Sequence, residues 1–233
     1  MSVFKQNDGH GQSITLLDTD GYVTCTFGNP DDTANRIREM VTFNCRPDDV
    51  FICAPVKSGT HWTWEIISMM YAEKAETIPI SKIEHMIEAV PWETVESLPS
   101  PRPNTICWFE YVLEWEDIMA SNPEFPIHLI YYEDLKENTL QELYRLGKFL
   151  GVENKDGIFE EISEKCQFDN MVKDKQQYLA PNFAFLADGF TFYRKGDIGD
   201  WKNWFTVAQN EMFDEIHSKK MNNSKHKFRY SKK

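Results

Sequence analysis

Hydrophobic and polar positions in this chain fall into short blocks whose period switches between that of a strand and that of a helix. Tyr22-Val23-Thr24-Cys25-Thr26-Phe27 predicts a short strand. Ile37, Met40 and Val41 stand at helical spacing, with Asp31 or Asp32 placed to cap that helix. After the Pro47-Asp48-Asp49 turn comes a continuous apolar run, Val50-Phe51-Ile52-Cys53-Ala54, the pattern of a buried parallel strand. A loop over residues 55–59 then leads into a helix from about residue 60 to 72, with Trp64, Ile67, Ser68 and Tyr71 on one face. Residues 73–105 hold acidic helical pieces between prolines, and residues 108–119 predict a helix. Residues 126–132 make the second strand-like run. An amphipathic helix is expected over residues 138–150, with Leu140, Leu143, Leu146, Phe149 and Leu150 toward the core and Gly151 ending it. Further helices are expected over residues 157–173 and 207–220. Strands alternating with helices predict an α/β domain built on a parallel sheet.

A length of 233 residues suits one domain with a single core. That domain is expected to span residues 1–233, with its core over about 48–215 and peripheral segments at 1–30 and 219–233. The net charge of −12 argues against nucleic acid as a partner, because tracking phosphates needs a basic field. A small anion can still be held where cations and backbone N–H groups converge. The basic stretch over residues 219–233 reads as a solvated tail, apart from Arg229 and its neighbours, which can serve an anion site. Five cysteines without CxxC spacing predict free thiols in a reducing compartment. No run approaches the ~18 apolar residues of a membrane span, so a cytoplasmic protein is expected. No metal is expected.

Two segments carry candidate chemistry. In Lys57-Ser58-Gly59-Thr60 the lysine precedes the glycine, unlike a Walker A loop. Gly59 lets backbone approach an anion, Ser58 and Thr60 offer hydroxyls, and the following helix adds its N–H groups and dipole. Lys57 can stabilise charge on a leaving group. These four residues alone fit a helix-capping turn equally well. In Tyr193-Arg194-Lys195-Gly196, Arg194 can grip a phosphate with two hydrogen bonds and Lys195 with a point charge, beside a glycine that admits backbone. By itself, that segment fits a solvated basic loop better.

Considered together, the segments resemble the cytosolic sulfotransferase family. Residues 54–62 (Ala54-Pro55-Val56-Lys57-Ser58-Gly59-Thr60-His61-Trp62) resemble its YPKSGTTW donor loop. Residues 194–206 resemble its RKGxxGDWKNxFT signature, and residues 132–138 its YEDLKEN segment. The resemblance implies the sulfotransferase fold, a P-loop-like parallel sheet flanked by helices, and PAPS (3′-phosphoadenylyl sulfate) as sulfuryl donor, leaving as PAP. It places Lys57 on the leaving oxygen, with Ser58, Gly59, Thr60, His61 and Trp62 around the 5′-phosphosulfate. Arg194, Lys195 and Gly196 fall on the 3′-phosphate, and Trp62, Tyr132 and Phe168 around the adenine. A core role suits Phe168 equally, since Cys166-Gln167 replace the family's Thr-Ser. The KxxxTVxxxE pattern at Lys202, Thr206, Val207 and Glu211 implies a homodimer.

A departure accompanies the resemblance. The family carries a Lys-Thr-His segment, whose histidine is the base, shortly after Leu-Pro-x-Pro-Arg, and then an Arg-Asn-Pro-Lys-Asp segment for the 3′-phosphate. Here Leu98-Pro99-Ser100-Pro101-Arg102 passes almost directly into Trp108-Phe109-Glu110, and neither segment occurs elsewhere. The sheet is therefore expected to lack two central strands. Of the six histidines only His61 lies in the donor loop, beside the phosphates rather than beyond the sulfur, and His85 fits either the lining of the acceptor pocket or, better, a neutral surface position. The expected function is sulfuryl transfer from PAPS to a hydroxyl or amine of a phenol, alcohol, steroid or amine. The alternative is a catalytically impaired member that binds nucleotide or dimerises, or an incomplete product lacking the histidine.

Overall fold

The computed structural model describes residues 1–7, 13–26, 28–55, 57–86, 89, 109–175, 178, 193, 195–226, 228 and 229. The chain divides into two compact units, Met1–Cys53 with Ser81–Thr105 and Ala54–Ile80 with Ile106–Lys233.

In the first unit, β1 (Ser2–Asn7), β2 (Ser13–Thr19) and β3 (Tyr22–Cys25) form an antiparallel meander in the order β1-β2-β3. Asp20-Gly21 is the two-residue turn between the paired residues Thr19 and Tyr22, a combination suited to the tight hairpin turns that match strand twist. Leu17 and Thr19 are buried, as are Thr33 and Ala34 on α1 (Pro30–Glu39), which packs on β2. The cap of α1 is Asn29, whose side chain accepts from the Asp31 N–H at 2.8 Å, rather than Asp31 or Asp32. Pro30, with φ already fixed, opens the helix, and the two aspartates favour the positive end of its dipole.

The expected parallel sheet is not seen among the described residues. Among the described residues the antiparallel meander is the sole sheet. The runs over residues 50–54 and 126–132 join no ladder, and Phe51, Phe125 and Leu129 are 39%, 53% and 36% exposed. A parallel strand pairs with a neighbour delivered by a crossover. The segments expected from the family resemblance to supply such strands do not occur in this sequence.

In the second unit α2 (Thr60–Ala72) buries Trp64, Glu65, Ile66, Ile67, Met69 and Met70, so it is covered on most sides. Then follow α3 (Phe109–Ser121), α4 (Tyr132–Glu137) and α5 (Thr139–Leu150). Asn138 caps α5 by accepting from Gln141 N–H, and Leu143 and Leu146 are buried. Phe149 is 39% exposed and stacks on His128 instead of entering the core. The helix expected over residues 157–173 is two helices, α6 (Ile158–Lys165) and α7 (Phe168–Lys175), separated at Cys166-Gln167. Thr206 opens α8 (Val207–Met221) with a reciprocal capping box to Gln209.

Candidate functional site

All the described candidate residues lie in the second unit. The loop before α2 turns through two left-handed residues, Lys57 at φ 65° and Gly59 at φ 96°. Ser58 closes the turn from inside: its hydroxyl donates to the Pro55 carbonyl at 2.6 Å and its N–H to the same oxygen at 3.3 Å. In this arrangement the Ser58 hydroxyl holds the loop's shape rather than pointing its proton at a ligand. Thr63 N–H makes the first helical bond, to Gly59 O at 3.0 Å, so the preceding first-turn N–H groups precede the helical ladder. No side chain caps the helix. Val56 lies outside the described residues.

Gly59 has a second constraint besides its φ. A Cβ there would stand 3.0 Å from Tyr132 Cδ2, so the tyrosine ring lies directly on the loop backbone. Trp62, in the first turn of α2, meets the same ring edge-on, with centroids 5.9 Å apart and planes at 70°. Lys136 Nζ sits 5.9 Å from the Trp62 ring centroid. The Trp62 indole N–H is buried without a hydrogen-bond partner among the described residues. Helix α4 thus brings an aromatic wall and a cation to the loop that its sequence neighbours do not supply.

The second candidate segment is organised around Gly196, at φ 65°. A Cβ on Gly196 would lie 2.2 Å from Cδ2 of Phe168 and 2.7 Å from Cγ, closer than atoms approach, so only glycine fits beneath that ring. Phe168, which the sequence leaves balanced between core and site, is therefore in contact with the segment. Lys195 Nζ pairs with Asp200 Oδ1 at 2.9 Å. Asp200 is buried and also accepts from Asn203 Nδ2 at 2.9 Å and Trp204 Nε1 at 3.0 Å. These four residues line an open cavity of about 430 Å³. Arg194 lies outside the described residues. Tyr193, just before it, is half-buried; burial first, then the nearby Glu65 and Cys166, push its phenol well above the ordinary tyrosine range. Asp200 and Lys136 fall within the matched segments and Glu65 outside them, and the sequence assigns a role to none of the three. Each acts through a contact that depends on folding.

The remaining candidates are placed as follows. Val207 is 76% exposed and Trp204 67%, and Lys202 and Glu211 are exposed beside them. Arg229 does not stand ready for an anion: it pairs with Asp134 and, at 2.7 Å, with Glu137. His226 Nδ1 is hydrogen-bonded with the Tyr131 hydroxyl at 2.7 Å, and His217 stacks on Phe213. His128 is held below the usual histidine range by burial and by the Arg145 charge. Among the described residues, no cluster of histidine, cysteine and carboxylates suits a metal ion, and no helix is long and apolar enough to cross a membrane.

The sequence model of the sulfotransferase domain matches residues 47–105 and 104–225. This chain belongs to the sulfotransferase domain family. Among its sulfotransferase relatives, dog sulfotransferase 1B1 is 28% identical over 273 residues, covering 84% of this chain and 91% of that protein. Human sulfotransferase 1C2 is 24% identical over 286, covering 91% and 94%. Zebrafish cytosolic sulfotransferase 1 reaches 45% identity, over 102 residues that make up 43% of this chain. The sulfotransferase fold is also evident in the backbone. Mouse sulfotransferase SULT7A1, solved with PAP, superposes with a TM-score of 0.68 at 21% identity, covering 90% of this chain and 96% of that one. A retinol dehydratase solved with androsterone and PAP gives 0.67 at 14% identity, with 97% and 92% covered.

The internal departure shows in the same alignments. The two family matches overlap at residues 104 and 105, where the sequence passes from Arg102 to Trp108. The 273-residue alignment to the dog sulfotransferase is longer than this 233-residue chain, so it crosses residues that the relative has and this chain lacks.

Proposed function

We propose that this sulfotransferase takes PAPS as its donor and moves the sulfuryl group to a hydroxyl or amine of a small-molecule acceptor, releasing PAP. The 5′-phosphosulfate lies against the α2 N-terminus, held by backbone at Gly59, Thr60, His61 and Trp62, with the Lys57 ammonium at the bridging oxygen. Arg194, Lys195 and Gly196 take the 3′-phosphate, and Trp62, Tyr132 and Phe168 enclose the adenine. The observation that carries this reading is the pair of glycine–aromatic contacts, Tyr132 on Gly59 and Phe168 on Gly196. Each sets a flat apolar ring beside backbone bare enough for an anion, which is what a nucleotide with phosphates at both ends requires.

In an in-line transfer the attacking oxygen stands opposite the leaving oxygen. Lys57 stabilises charge on the leaving side; the attacking side lacks the family histidine. An acceptor that sheds its proton readily is therefore favoured, so phenols, with a pKa of about 10, should outrun aliphatic alcohols. Titrating the protein with PAP in a calorimeter and following labelled PAPS with phenols, alcohols, steroids and amines tests the proposal. Binding heat and slow transfer led by phenols are expected. Folded protein that takes up no PAP would sink it. Binding without transfer to any acceptor would favour the second reading, a donor-binding member that does not catalyse, which the absent histidine supports.

We further propose that two copies pair through residues 202–211, with Lys202 facing Glu211 of the partner across apposed Val207 side chains. The outward exposure of Val207 and Trp204 supports this reading. Val207→Glu places like charges at the two-fold contact, so sedimentation should show a dimer for the parent and a monomer for the variant. A parent chain that sediments as a monomer at tens of micromolar overturns it. The cytosolic location proposed for the protein rests on its free cysteines, Cys25, Cys45, Cys53 and Cys166, and on its cytosolic relatives.

A further inference from the structure

A buried ion pair lies between the two halves of the site. Glu65 sits on α2, one and a half turns beyond the loop, and Lys175 is the last residue of α7; both are buried. Lys175 Nζ stands 2.5 Å from Glu65 Oε1. It also donates to the carbonyls of Ile78, at 2.6 Å, and Ile80, at 2.8 Å, and lies 5.2 Å from the Trp64 ring centroid and 5.3 Å from that of Tyr178. The contact with Glu65 is a close ion pair, and the Ile78 backbone N–H also favours the charged carboxylate.

The two helices joined by this pair are those that carry the site. Helix α2 opens on the Lys57–Thr60 loop, and α7 opens on Phe168, the ring seated on Gly196. We propose that the Glu65–Lys175 pair is a positioning device for the donor nucleotide, fixing the spacing between the 5′-phosphosulfate loop and the Phe168–Gly196 contact. The inference rests on the function proposed above. Neither residue touches the nucleotide; they act through the helices they join.

Charge balance gives the proposal a signature that packing alone does not have. The titratable and charged groups facing Glu65 are Lys175 and Asp174 from α7, with Tyr193 and Cys166 beside them, and Asp174 is itself paired with Lys165 at 2.6 Å. Burial raises Glu65 above the ordinary glutamate value, and Lys175 opposes that rise. Removing the Lys175 charge leaves burial unopposed. The carboxyl then fits the interior when protonated and strains it when ionised, so the defect grows as pH rises through the raised value.

The test is PAP affinity of the full chain by calorimetry from pH 5.5 to 8.5. Each variant is expressed as a ratio to the parent at the same pH, because the 3′-phosphate itself titrates near about 6. Lys175→Met should bind roughly tenfold more weakly at pH 8.5 and approach the parent at pH 5.5. The apolar pair Glu65→Leu with Lys175→Met, which leaves no buried charge, should return affinity to within about threefold of the parent with a flat ratio. Should Lys175→Met not fold, Glu65→Gln carries the test: it keeps the size and the Lys175 bonds to Ile78 and Ile80, and should bind about threefold or more weakly. A parent that takes up no PAP defeats the proposed function. A parent that binds, with folded single variants of equal affinity or a Lys175→Met loss that does not change with pH, defeats the positioning role alone.

Discussion

Gly196→Ala is expected to weaken PAP binding on the order of 10²-fold, the sum of a left-handed backbone penalty of about 1–2 kcal/mol and an overpacking cost of about 1–3 kcal/mol. The geometry localises both costs at the proposed 3′-phosphate grip. At φ 65° the new methyl strains the chain, and at 2.2 Å from Phe168 Cδ2 it must displace the ring or the loop. Either movement separates Lys195 and its neighbours from the aromatic wall. Gly28→Ala isolates the backbone share: Gly28 has a comparable φ of 76°, and nothing lies within 4 Å of its added Cβ. That variant should lower the melting temperature slightly and leave PAP affinity unchanged. Phe168→Ala in the Gly196→Ala background removes the clash, so it should recover part of the affinity if the ring is the obstacle. A Gly196→Ala protein that binds PAP within about threefold of the parent would show that the segment takes no part in nucleotide binding.

The parts of the site legible in the sequence are those whose physics is local. Gly59 and Gly196 stand out as glycines beside cations in loops, and the Leu143 and Leu146 stripe and the Gly151 end of α5 follow from spacing within one helix. The Glu65–Lys175 pair was not legible, because 110 positions separate the partners and each residue alone looks like a helix-surface charge. Likewise Asp200 reads as a loop aspartate until folding turns it toward Lys195, Asn203 and Trp204. Strands are the extreme case. Residues 50–54 and 126–132 carry the composition of buried strands, yet a strand exists only with a neighbour, and composition does not reveal whether that neighbour is in the chain. Of the meander, β3 matches the strand expected from Tyr22 onward, whereas β1 and β2 carry no such signal. All six residues of β1 are exposed, so they show no buried face to be read as a pattern.

Those unpaired runs and the absent histidine point to one cause, which leads to the second large effect. Inserting between Arg102 and Trp108 a segment with the Lys-Thr-His and Arg-Asn-Pro-Lys-Asp sequences that the family resemblance implies should raise turnover of labelled PAPS by about 10²–10⁴-fold, the usual contribution of a positioned general base. Three changes should accompany it, each with its own readout. Amides in residues 50–54 and 126–132 should gain protection from hydrogen exchange, because the inserted strands give them ladder partners. PAP should bind about tenfold or more tightly, since each charge-assisted hydrogen bond to the 3′-phosphate contributes about 1.5–3 kcal/mol. The advantage of phenols over aliphatic alcohols should shrink, because a base within reach makes acceptor acidity matter less. Replacing the grafted histidine with asparagine separates the roles: exchange protection and PAP affinity should stay, while the gain in rate disappears. If the asparagine graft turned over as fast as the histidine graft, the missing base would not be what limits this chain. The repaired sheet, bringing acceptor and donor into line, would then carry the whole effect.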